Sequence, residues 1–380
     1  MRILIQGGGI GGLTLANLLE RRRPQAKITI VEQTPSWAPL GAGITLTGNA
    51  LRVLDAAELT EPLLQRGLPL ESTRLADGRG RVLLEARPAD GPTGRDDWTR
   101  IVLSIHRAAL HETLVEGLER TALLLGKSLD PESFTEGEAL RLSDGTTVEA
   151  DLVVGADGVD SQVRERVTDA APFRYAGYTC WRGVVDVPLH GATAWELWGG
   201  ARRFGLIPLV DDRTYFYACI NAPAGDPRYQ DLDNEAFADL FEGLGGPVPE
   251  VLSGVRRDCF LHHGDLGELR LDRWHRDRFV LLGDAAHAMT PNLGQGAAMA
   301  IEDAAVLSEE LSKTKPREAV ARFEERRRPR VEVLQTQAFR MGSMAHWESR
   351  FAGWLRNRLV ALTPRRVASR QMQSMVDAAI

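Results

Sequence analysis

A run of five glycines and one isoleucine at residues 7–12 constrains the fold of this chain more than any other feature. The run follows residues 3–5, Ile-Leu-Ile, which are typical of a short buried parallel strand. Apolar residues at helical spacing come next, and residues 28–31 then predict a second strand that ends at Glu32. A strand, a tight turn, a helix and a second strand within about thirty residues form the unit that a dinucleotide-binding fold requires.

The glycines fall at the positions that dinucleotide binding needs. Gly7 allows the tight turn, Gly9 lets a pyrophosphate approach the backbone, and Gly12 lets the helix pack against the strand. The N-terminus of that helix offers free N–H groups and a positive dipole end to the phosphates. Glu32 can accept hydrogen bonds from ribose hydroxyls, whereas its charge would repel a 2′-phosphate. The alternative, a glycine-rich turn that binds nothing, is disfavoured by the matching strands and the acidic residue.

Two later segments place a carboxylate at the carboxyl end of an apolar strand. Residues 151–155 predict a strand that is followed by Asp157 and a helix, and residues 279–282 predict a strand that is followed by Asp284. Ligands bind at this edge of an open α/β sheet, so both carboxylates are candidates for a binding site. Either could instead cap the helix that follows it, or could cap and bind at once.

Composition and charge exclude several classes of protein. The 380 residues carry a formal net charge of −6, which is the wrong sign for a general nucleic-acid partner. The three cysteines stand far apart in the sequence, so we expect a reducing compartment. No His, Cys or Asp cluster has the spacing of metal ligands, so we expect no metal. Neither a secretory signal nor an apolar run of membrane-spanning length occurs, and we expect a cytoplasmic location.

Together, the glycine run and the segments around Asp157 and Asp284 resemble the group A flavoprotein monooxygenases, the aromatic-ring hydroxylases, in order and spacing. The resemblance extends from Gly7 to about Pro364. Residues 178–183 and 294–303 are most similar to the urate hydroxylase, zeaxanthin epoxidase and salicylate hydroxylase branches. The resemblance implies FAD as the cofactor, NAD(P)H as the electron donor and O2 as co-substrate. The implied reaction is hydroxylation of an aromatic or other electron-rich small molecule through a flavin C4a-hydroperoxide.

The resemblance also implies which residues bind the cofactor. Glu32 would hold the adenosine ribose, Arg107 would lie against the ribityl-phosphate region, and the backbone of Leu123 would touch adenine. Asp157 would link flavin and nicotinamide binding, and Asp284 would bind ribityl and pyrophosphate groups. The complete implied set consists of Gly7, Gly9, Ile10, Gly11, Gly12, Glu32, Gly41, Ala42, Gly43, Arg107, Leu123, Asp157, Asp284, Gly294, Gln295, Gly296, Ala297 and Ala298.

The segment after Asp284 has a physical reason to lie at the flavin ring. A helix that begins near Gly296 would aim free N–H groups and a positive dipole end at the flavin N1–C2=O edge, where reduced flavin is anionic. Gly294 and Gly296 would allow the backbone to approach the flat ring closely. We interpret His287, in the same segment, as a packed turn residue rather than a general base.

Three residues are candidates for catalytic or substrate-positioning roles. In the urate hydroxylase branch, an Arg five residues before a Pro and a Tyr seven residues after it orient the substrate. Arg203 and Tyr215 keep this spacing to Pro208, and Pro291 is the third candidate. For Arg203 and Tyr215, a structural role on the surface of a sheet is the open alternative. Asn292 stands where that branch has an acidic residue, which disfavours urate itself.

The predicted fold class is α/β, a Rossmann-like FAD-binding domain with an inserted antiparallel β-sheet substrate domain and C-terminal helices. Short alternating apolar runs indicate the inserted sheet, to which residues 73–84 are expected to add strands, with a loop at residues 90–97. The predicted ranges are 1–72, 100–168 and 271–330 for the FAD-binding domain, 73–99 and 169–270 for the substrate domain, and 331–380 for the C-terminal helices.

The C-terminal part of the chain is predicted to be helical and basic. Residues 315–370 hold fourteen Lys or Arg against five acids, and one helix face is apolar, with Trp347, Phe351, Trp354, Leu355 and Leu359. Such a face could lie on a membrane surface. We expect it instead to pack against its own domain, because charges opposite an apolar stripe are ordinary solvation.

Other functions of a flavoprotein are weighed against this one. A flavin-dependent epoxidase and a non-catalytic FAD-binding redox protein stay open as alternatives. A halogenase is disfavoured because its W-x-W-x-I-P motif is absent, and a disulfide reductase because there is no cysteine pair. No second G-x-G-x-x-G occurs, so the nicotinamide would bind transiently without its own Rossmann domain.

Overall fold

The structure is a computed structural model, and it describes residues 1–37, 42–88, 101–134, 139–169 and 172–364. Within those ranges the strands are β1 (Arg2–Gln6), β2 (Lys27–Glu32), β3 (Gly43–Leu46), β4 (Gly67–Pro69), β5 (Ser72–Asp77), β6 (Val82–Ala86), β7 (Leu103–His106), β8 (Ala122–Leu125), β9 (Ala139–Arg141), β10 (Thr147–Glu149), β11 (Leu152–Gly155), β12 (Phe173–Val185), β13 (Thr193–Gly199), β14 (Arg202–Pro208), β15 (Thr214–Asn221), β16 (His262–Leu269), β17 (His275–Arg276) and β18 (Phe279–Leu281). The helices are α1 (Ile10–Arg22), α2 (Gly48–Asp55), α3 (Thr60–Arg66), α4 (Arg107–Glu116), α5 (Val163–Val167), α6 (Asn234–Phe241), α7 (Val248–Arg257), α8 (Asp284–His287), α9 (Gly296–Lys313), α10 (Pro316–Ala345) and α11 (Arg350–Leu362).

The first sheet contains the strand, turn, helix and strand that the sequence predicts. Its six strands lie in the order β17-β18-β11-β1-β2-β8, and all neighbours are parallel except β17 and β18. β1 lies inside this sheet and is buried, which explains its apolar sequence. Because the carboxyl ends of parallel strands meet at one edge, the glycine run, Glu32, Asp157 and Asp284 all lie along that edge.

At two positions of the glycine turn, neighbouring backbone atoms leave no room for a Cβ. Gly7 has a φ of +105°, and a Cβ there would overlap the backbone of Ala156. A Cβ on Gly12 would overlap the carbonyl oxygen of Gly7, where α1 packs closely against β1. Gly9 differs, because its φ is −77° and an added Cβ would lie 4.0 Å from the nearest contacting atom, the carbonyl oxygen of Ala156. The protein's own packing therefore leaves room at Gly9.

The second sheet contains seven strands in the order β16-β12-β15-β14-β13-β5-β6. β5 and β6 confirm the strands expected within residues 73–84, whereas residues 90–97 lie outside the described residues. β13 and β5 are parallel, so the sheet is mixed rather than purely antiparallel as predicted. The physical reason is that β5 comes from a distant part of the chain and is not joined to β13 by a hairpin.

The two faces of the second sheet have different roles. Alternating side chains such as Phe204 and Phe216 form a separate apolar core with α6 and α7. Arg203 and Tyr215 alternate with them and lie on the opposite face. That face meets the FAD-binding side of the molecule, since a Cβ on Gly43 of β3 would lie 2.6 Å from the Tyr215 side chain.

A buried cluster of charges joins α9 to α10. The Arg327 guanidinium donates to Asp303 at 2.7 Å and to Glu302 at 2.5 Å, and Arg330 donates to both carboxylate oxygens of Glu302 at 2.7 and 2.8 Å. Burial alone would raise the pKa of Asp303, but its contacts with His287 and the Arg327 guanidinium lower it to about 2. Two positive and two negative charges balance here, so α10 packs firmly onto the first sheet's core.

The predicted boundary between residues 330 and 331 falls inside α10. This helix is continuous from Pro316 to Ala345, and its residues on both sides of that boundary, Phe323 and Val331 among them, belong to the core of the first sheet. The division of the chain into domains stays a prediction.

The prediction that the apolar face of the C-terminal helix packs against its own domain is wrong. The helix α11 is held by its other side, where buried Arg356 donates to the carbonyl oxygens of Met344 and Ala345 at 3.0 and 2.8 Å. The predicted face points outward, since its residues are all exposed, namely Trp347, Phe351, Trp354, Leu355 and Leu359. Among the helices of the described ranges, none is long and apolar enough to cross a membrane.

We predict that alanine substitutions at two positions of the glycine turn differ in their effect on stability. Gly12→Ala should lower the free energy of unfolding by about 1–3 kcal/mol, because its Cβ overlaps the Gly7 carbonyl oxygen. Gly9→Ala, the matched control, should change it by less than about 1 kcal/mol, because its Cβ finds room. Urea unfolding of the two FAD-free variants measures the difference. Equal losses of stability would show that packing requires glycine at both positions.

Candidate active site

Glu32 lies against the glycine turn. Its carboxylate accepts hydrogen bonds from the backbone N–H of Gly8 at 2.8 Å and of Thr34 at 2.9 Å. The Trp37 ring covers Gly8, and its centroid lies 4.5 Å from that of His111, whose Nε2 is 2.8 Å from the Gly8 carbonyl oxygen. Trp37 and His111 thus hold the turn in place, and sequence reasoning missed both because neither belongs to a motif.

Asp157 is engaged within the protein. Its carboxylate accepts hydrogen bonds from the Ser161 hydroxyl at 2.5 Å and from the backbone N–H of Gln162 and Val163 at 2.8 and 3.3 Å. It therefore caps the segment that leads into α5. Burial raises the pKa of Asp157, and these hydrogen bonds offset only part of that rise.

Asp284 has the opposite environment. It is exposed at the first turn of α8, after Gly283 with its φ of +63°, and makes no capping hydrogen bond. Within the part of the chain that the structure describes, nothing donates a hydrogen bond to its carboxylate. Of the two predicted carboxylates, Asp284 is therefore the one whose oxygens are all free to accept from a ligand.

Arg107 begins α4 and lies close enough to Asp284 for their opposite charges to interact. Burial lowers the pKa of Arg107, and the negative charge of Asp284 opposes that shift. The side chain is accessible to solvent although protein surrounds it on most sides, which is the environment of a side chain in a cleft. Its backbone N–H donates to the carbonyl oxygen of Ala42 at 2.9 Å, so the loop before Gly43 reaches α4. Gly41, also predicted, lies outside the described residues.

The segment before α9 has the geometry of an anion-binding helix start. Gly294 has a φ of +63°, and Gly296 is the first residue of the helix, which has no side-chain cap. The buried Gln295 side chain is held by Thr47, which accepts from it at 3.1 Å, and by Asn49, which donates to it at 3.1 Å. Among the described residues, no side chain bonds the N–H groups of the first turn, which includes Ala297 and Ala298. Pro291 begins the short 3₁₀ turn that precedes this segment.

The remaining predicted cofactor residues lie at the first sheet. Ile10 is the first residue of α1 and is buried. Gly11 has no room for a side chain, since a Cβ there would meet Leu282 and Ala300 of the α8–α9 region. Leu123 pairs with Ile30 in the register of β8 and β2, at the side of the sheet beyond Glu32. Its contact with adenine stays a prediction.

Tyr215 is the predicted substrate residue that stays open to a ligand. It lies against Gly43, and in the part of the chain described here no group hydrogen-bonds its hydroxyl. Burial raises the pKa of Tyr215, and the nearby positive charge of Arg182 offsets only part of the rise. The phenol is consequently protonated at neutral pH and can donate. Arg182 was inside a quoted motif but received no role from the sequence.

Arg203 is committed to the protein. Its guanidinium donates to both carboxylate oxygens of Glu196, at 2.6 and 3.0 Å, and to the side-chain oxygen of Asn292. Glu196 also accepts from the Tyr217 hydroxyl at 2.6 Å and from the Trp198 ring N–H at 2.5 Å. Burial would raise the pKa of Glu196, but the Arg203 charge lowers it below its usual value. The pair is thus ionised, buried and neutral overall.

His287 lies in the protein interior. It is buried against the Trp274 ring, and its Nε2 lies 2.6 Å from Asp303 Oδ2. The same oxygen accepts from the backbone N–H of Gly283 at 3.1 Å. This environment suits the predicted packed turn residue, because the bond to Asp303 orients the ring within the core.

These groups fit an FAD molecule. The room at Gly9, the free carboxylate of Asp284 and the uncapped start of α9 lie along one edge of the first sheet, where a pyrophosphate and a flavin ring need them. Tyr215 faces the same region from the second sheet. The structure thus brings the glycine turn, Asp284, the start of α9 and Tyr215, a predicted substrate residue, to one region, whereas Arg203 is occupied by Glu196.

Comparison with known proteins agrees with this site. A family model described as an FAD binding domain matches residues 1–338. The chain is 38% identical over 378 residues to 2-heptyl-3-hydroxy-4(1H)-quinolone synthase of Pseudomonas aeruginosa, covering 96% of this chain and 94% of that protein. It is 33% identical over 370 residues to aurachin C monooxygenase/isomerase of Stigmatella aurantiaca, covering 95% and 94%.

A solved structure shows the same fold. The crystal structure of Klebsiella pneumoniae HpxO complexed with FAD and uric acid superimposes with a TM-score of 0.87 at 23% identity, over 99% of this chain and 96% of that one. The family match and the relatives confirm FAD as cofactor, NAD(P)H as electron donor and monooxygenation as the reaction class. The chain therefore belongs to the FAD-dependent aromatic hydroxylases, the group A flavoprotein monooxygenases.

Proposed function

We propose that this FAD-dependent monooxygenase hydroxylates a neutral bicyclic aromatic of the 4-quinolone class, at the ring carbon beside the carbonyl group, with O2 as co-substrate. The name of the relative at 38% identity describes a 4-quinolone with a hydroxyl at that carbon and a heptyl chain beside it. That alignment spans nearly all of both proteins. The same carbon of a 4-quinolone is electron rich because the ring nitrogen is conjugated with it, as oxygen transfer from a flavin requires.

The pair of Arg203 and Glu196 is the observation that carries this choice of a neutral substrate, because it leaves Arg203, the predicted substrate-binding cation, without a free charge. A substrate carboxylate would need an uncompensated cation to replace its lost hydration. Arg203 is only 2% exposed, and two of its nitrogens donate to Glu196. Its charge is thus already balanced, and drawing it toward an anionic ligand would leave Glu196 buried without its partner. A carbonyl-bearing neutral ring avoids that cost.

Tyr215 would bind the carbonyl oxygen of such a ring. Its hydroxyl is protonated and has no hydrogen-bond partner among the described residues, and the base of its side chain lies beside Gly43 of the loop implied to face the flavin. Arg182 adds positive charge near the same oxygen. A hydrogen bond from Tyr215 would hold the neighbouring ring carbon in a fixed position, and positioning of the reacting atoms is a large part of catalysis.

Groups of different charge would hold different parts of the FAD molecule. The backbone at Gly9 and the N-terminus of α1 would receive the pyrophosphate, Glu32 the ribose, and Asp284 the hydroxyls of the ribityl chain. The start of α9 would favour negative charge at the edge of the flavin ring. Reduced flavin supplies the reaction with O2, and the surrounding protein keeps water from the reacting groups.

A cytoplasmic location is part of the proposal. NAD(P)H is supplied there, and three unpaired cysteines, of which Cys180 and Cys219 are buried, suit a reducing compartment.

A substrate assay tests the proposal. The FAD-loaded enzyme should consume NADH or NADPH faster when 2-heptyl-4(1H)-quinolone is added, and mass spectrometry should find a product with one added oxygen atom. Benzoate and urate serve as anionic controls and should stimulate neither. Coupled turnover of an anionic control, with no turnover of the quinolone, would contradict the neutral-substrate argument.

We predict that the two carboxylates of the site separate binding from folding. Asp284→Ala should weaken FAD binding about tenfold or more and leave the unfolding of the FAD-free protein unchanged, because this carboxylate makes no hydrogen bond to the described residues. Asp157→Ala should lower the free energy of unfolding by about 1–3 kcal/mol, because three donors lose their acceptor. Flavin titration and urea unfolding measure the two effects. An Asp284→Ala protein with unaltered FAD affinity would exclude this residue from the site.

A second prediction compares two tyrosines on the same strand. Tyr215→Phe should lower the ratio of product formed to NADH consumed by roughly tenfold, with H2O2 released instead, because the substrate loses one orienting hydrogen bond. Tyr217→Phe should lower the free energy of unfolding by about 1–2 kcal/mol, because Glu196 loses a buried donor. Product, NADH and peroxide are measured together. If Tyr215→Phe kept the wild-type ratio of product to NADH, Tyr215 would have only a structural role.

A further inference from the structure

The helix α11 presents an unusually apolar outer surface. Five large side chains recur at helical spacing along one stripe and are all exposed, namely Phe351, Trp354, Leu355, Leu359 and Leu362. The rings of Phe351 and Trp354 stack with their centroids 6.1 Å apart. Contiguous apolar surface of this kind on a soluble protein marks an interaction site. We call this stripe the α11 apolar face.

The exposure of this face is built into the fold. On the inner side of α11, Arg356 is 3% exposed and donates to the carbonyl oxygens that end α10. Its guanidinium also lies 4.8 Å from the ring centroid of Trp198 on the second sheet. The Ser349 hydroxyl caps the helix by accepting from the backbone N–H of Ala352 at 3.3 Å. A helix fixed on one side by a buried cation cannot rotate its apolar face inward without breaking these bonds.

The charge on α11 itself is positive. Its 13 residues include three arginines and neither Asp nor Glu, in a chain whose net charge is −6, and Glu348 precedes the helix. Arg350 and Arg358 are exposed on α11 itself, and Arg358 lies 6.0 Å from the Trp354 ring centroid. Trp, Phe and Leu interleaved with Arg are typical of helices that lie in a membrane interface, where arginine reaches up to the lipid phosphates.

We infer that α11 docks this enzyme onto the surface of an anionic lipid bilayer. Its 13 residues are too few to span one, so the helix would lie in the plane of the interface with its apolar face among the acyl chains. A second copy of the chain fits less well, because a two-fold contact between these faces would bring like-charged arginines together. Residues 365–380 also fit less well as a cover, since they begin with two further arginines. This inference is independent of the substrate proposed above.

Vesicle binding by the full-length, FAD-loaded protein tests this inference. The probes are vesicles of phosphatidylcholine alone and vesicles in which about a third of the lipid is phosphatidylglycerol. The protein should sediment with the anionic vesicles and far less with the neutral ones. Raising NaCl from about 0.1 M to about 1 M should weaken the binding several-fold, because salt screens the attraction between arginine and phosphate.

A matched pair of variants locates the surface. Phe351→Glu should reduce binding to anionic vesicles about tenfold or more. The change removes a ring that would insert among the acyl chains, and it introduces a negative charge that the anionic lipid repels. Phe260→Glu makes the same chemical change at an equally exposed residue outside α11, 76% against 71%, and should leave binding unaltered. The flavin content of Phe351→Glu should equal that of wild type, which excludes misfolding.

Three outcomes would overturn the inference. Wild-type protein that stays in solution with both vesicle types would mean that something else covers the face. A dimer that Phe351→Glu converts to a monomer, without vesicle binding, would assign the face to a second copy. Equal loss of binding in Phe351→Glu and Phe260→Glu would mean that net charge alone, and not α11, attracts the protein to lipid.

Discussion

The buried ionic cluster between α9 and α10 is the interaction on which the rest of this site depends. Arg327 bridges Asp303 and Glu302, and each carboxylate then holds a second part of the site. Asp303 accepts from the backbone N–H at the N-cap of α8, which fixes the turn that carries the free carboxylate. Glu302 accepts from Asn49, which also donates to Gln295 at the start of α9. The turns that begin α8 and α9, which are predicted to bind the cofactor, are therefore held by one group of buried charges.

The arrangement of the site follows from which polar groups the protein itself satisfies. Asp157 and Arg203 have full sets of internal partners and hold segments in place. Asp284 and Tyr215 accept or donate no hydrogen bond within the described chain, and Tyr215 lies against Gly43, where the second sheet approaches the first. Tyr215 is buried, and a buried polar group without a partner is costly. A bound ligand that supplied a partner to Tyr215 would therefore gain affinity, whereas the exposed Asp284 would exchange water for the ligand.

The C-terminal helix extends the same logic to the outer surface. Arg356 satisfies its charge on carbonyl oxygens and the face of Trp198, and Trp198 in turn donates to Glu196 beside Arg203. A continuous series of contacts thus connects the inner side of α11 to the pair of Glu196 and Arg203 in the second sheet. The outer side of the same helix remains largely exposed, and its apolar and basic residues lie together at the surface.

The sequence by itself determined the strand–turn–helix–strand unit, the positions of the three strand ends that carry the predicted binding residues, and the family. These signals are local: glycine is needed where the backbone is tight, and parallel strands bring their carboxyl ends together wherever they are placed in the chain. Tertiary structure alone decided which of two similar aspartates is free, that Arg203 is neutralised by Glu196 seven residues earlier, and that β5 joins β13 in parallel. It also decided that the apolar side of α11 faces outward. Helical periodicity tells which residues share a face, but only the packing of distant segments decides which face they cover.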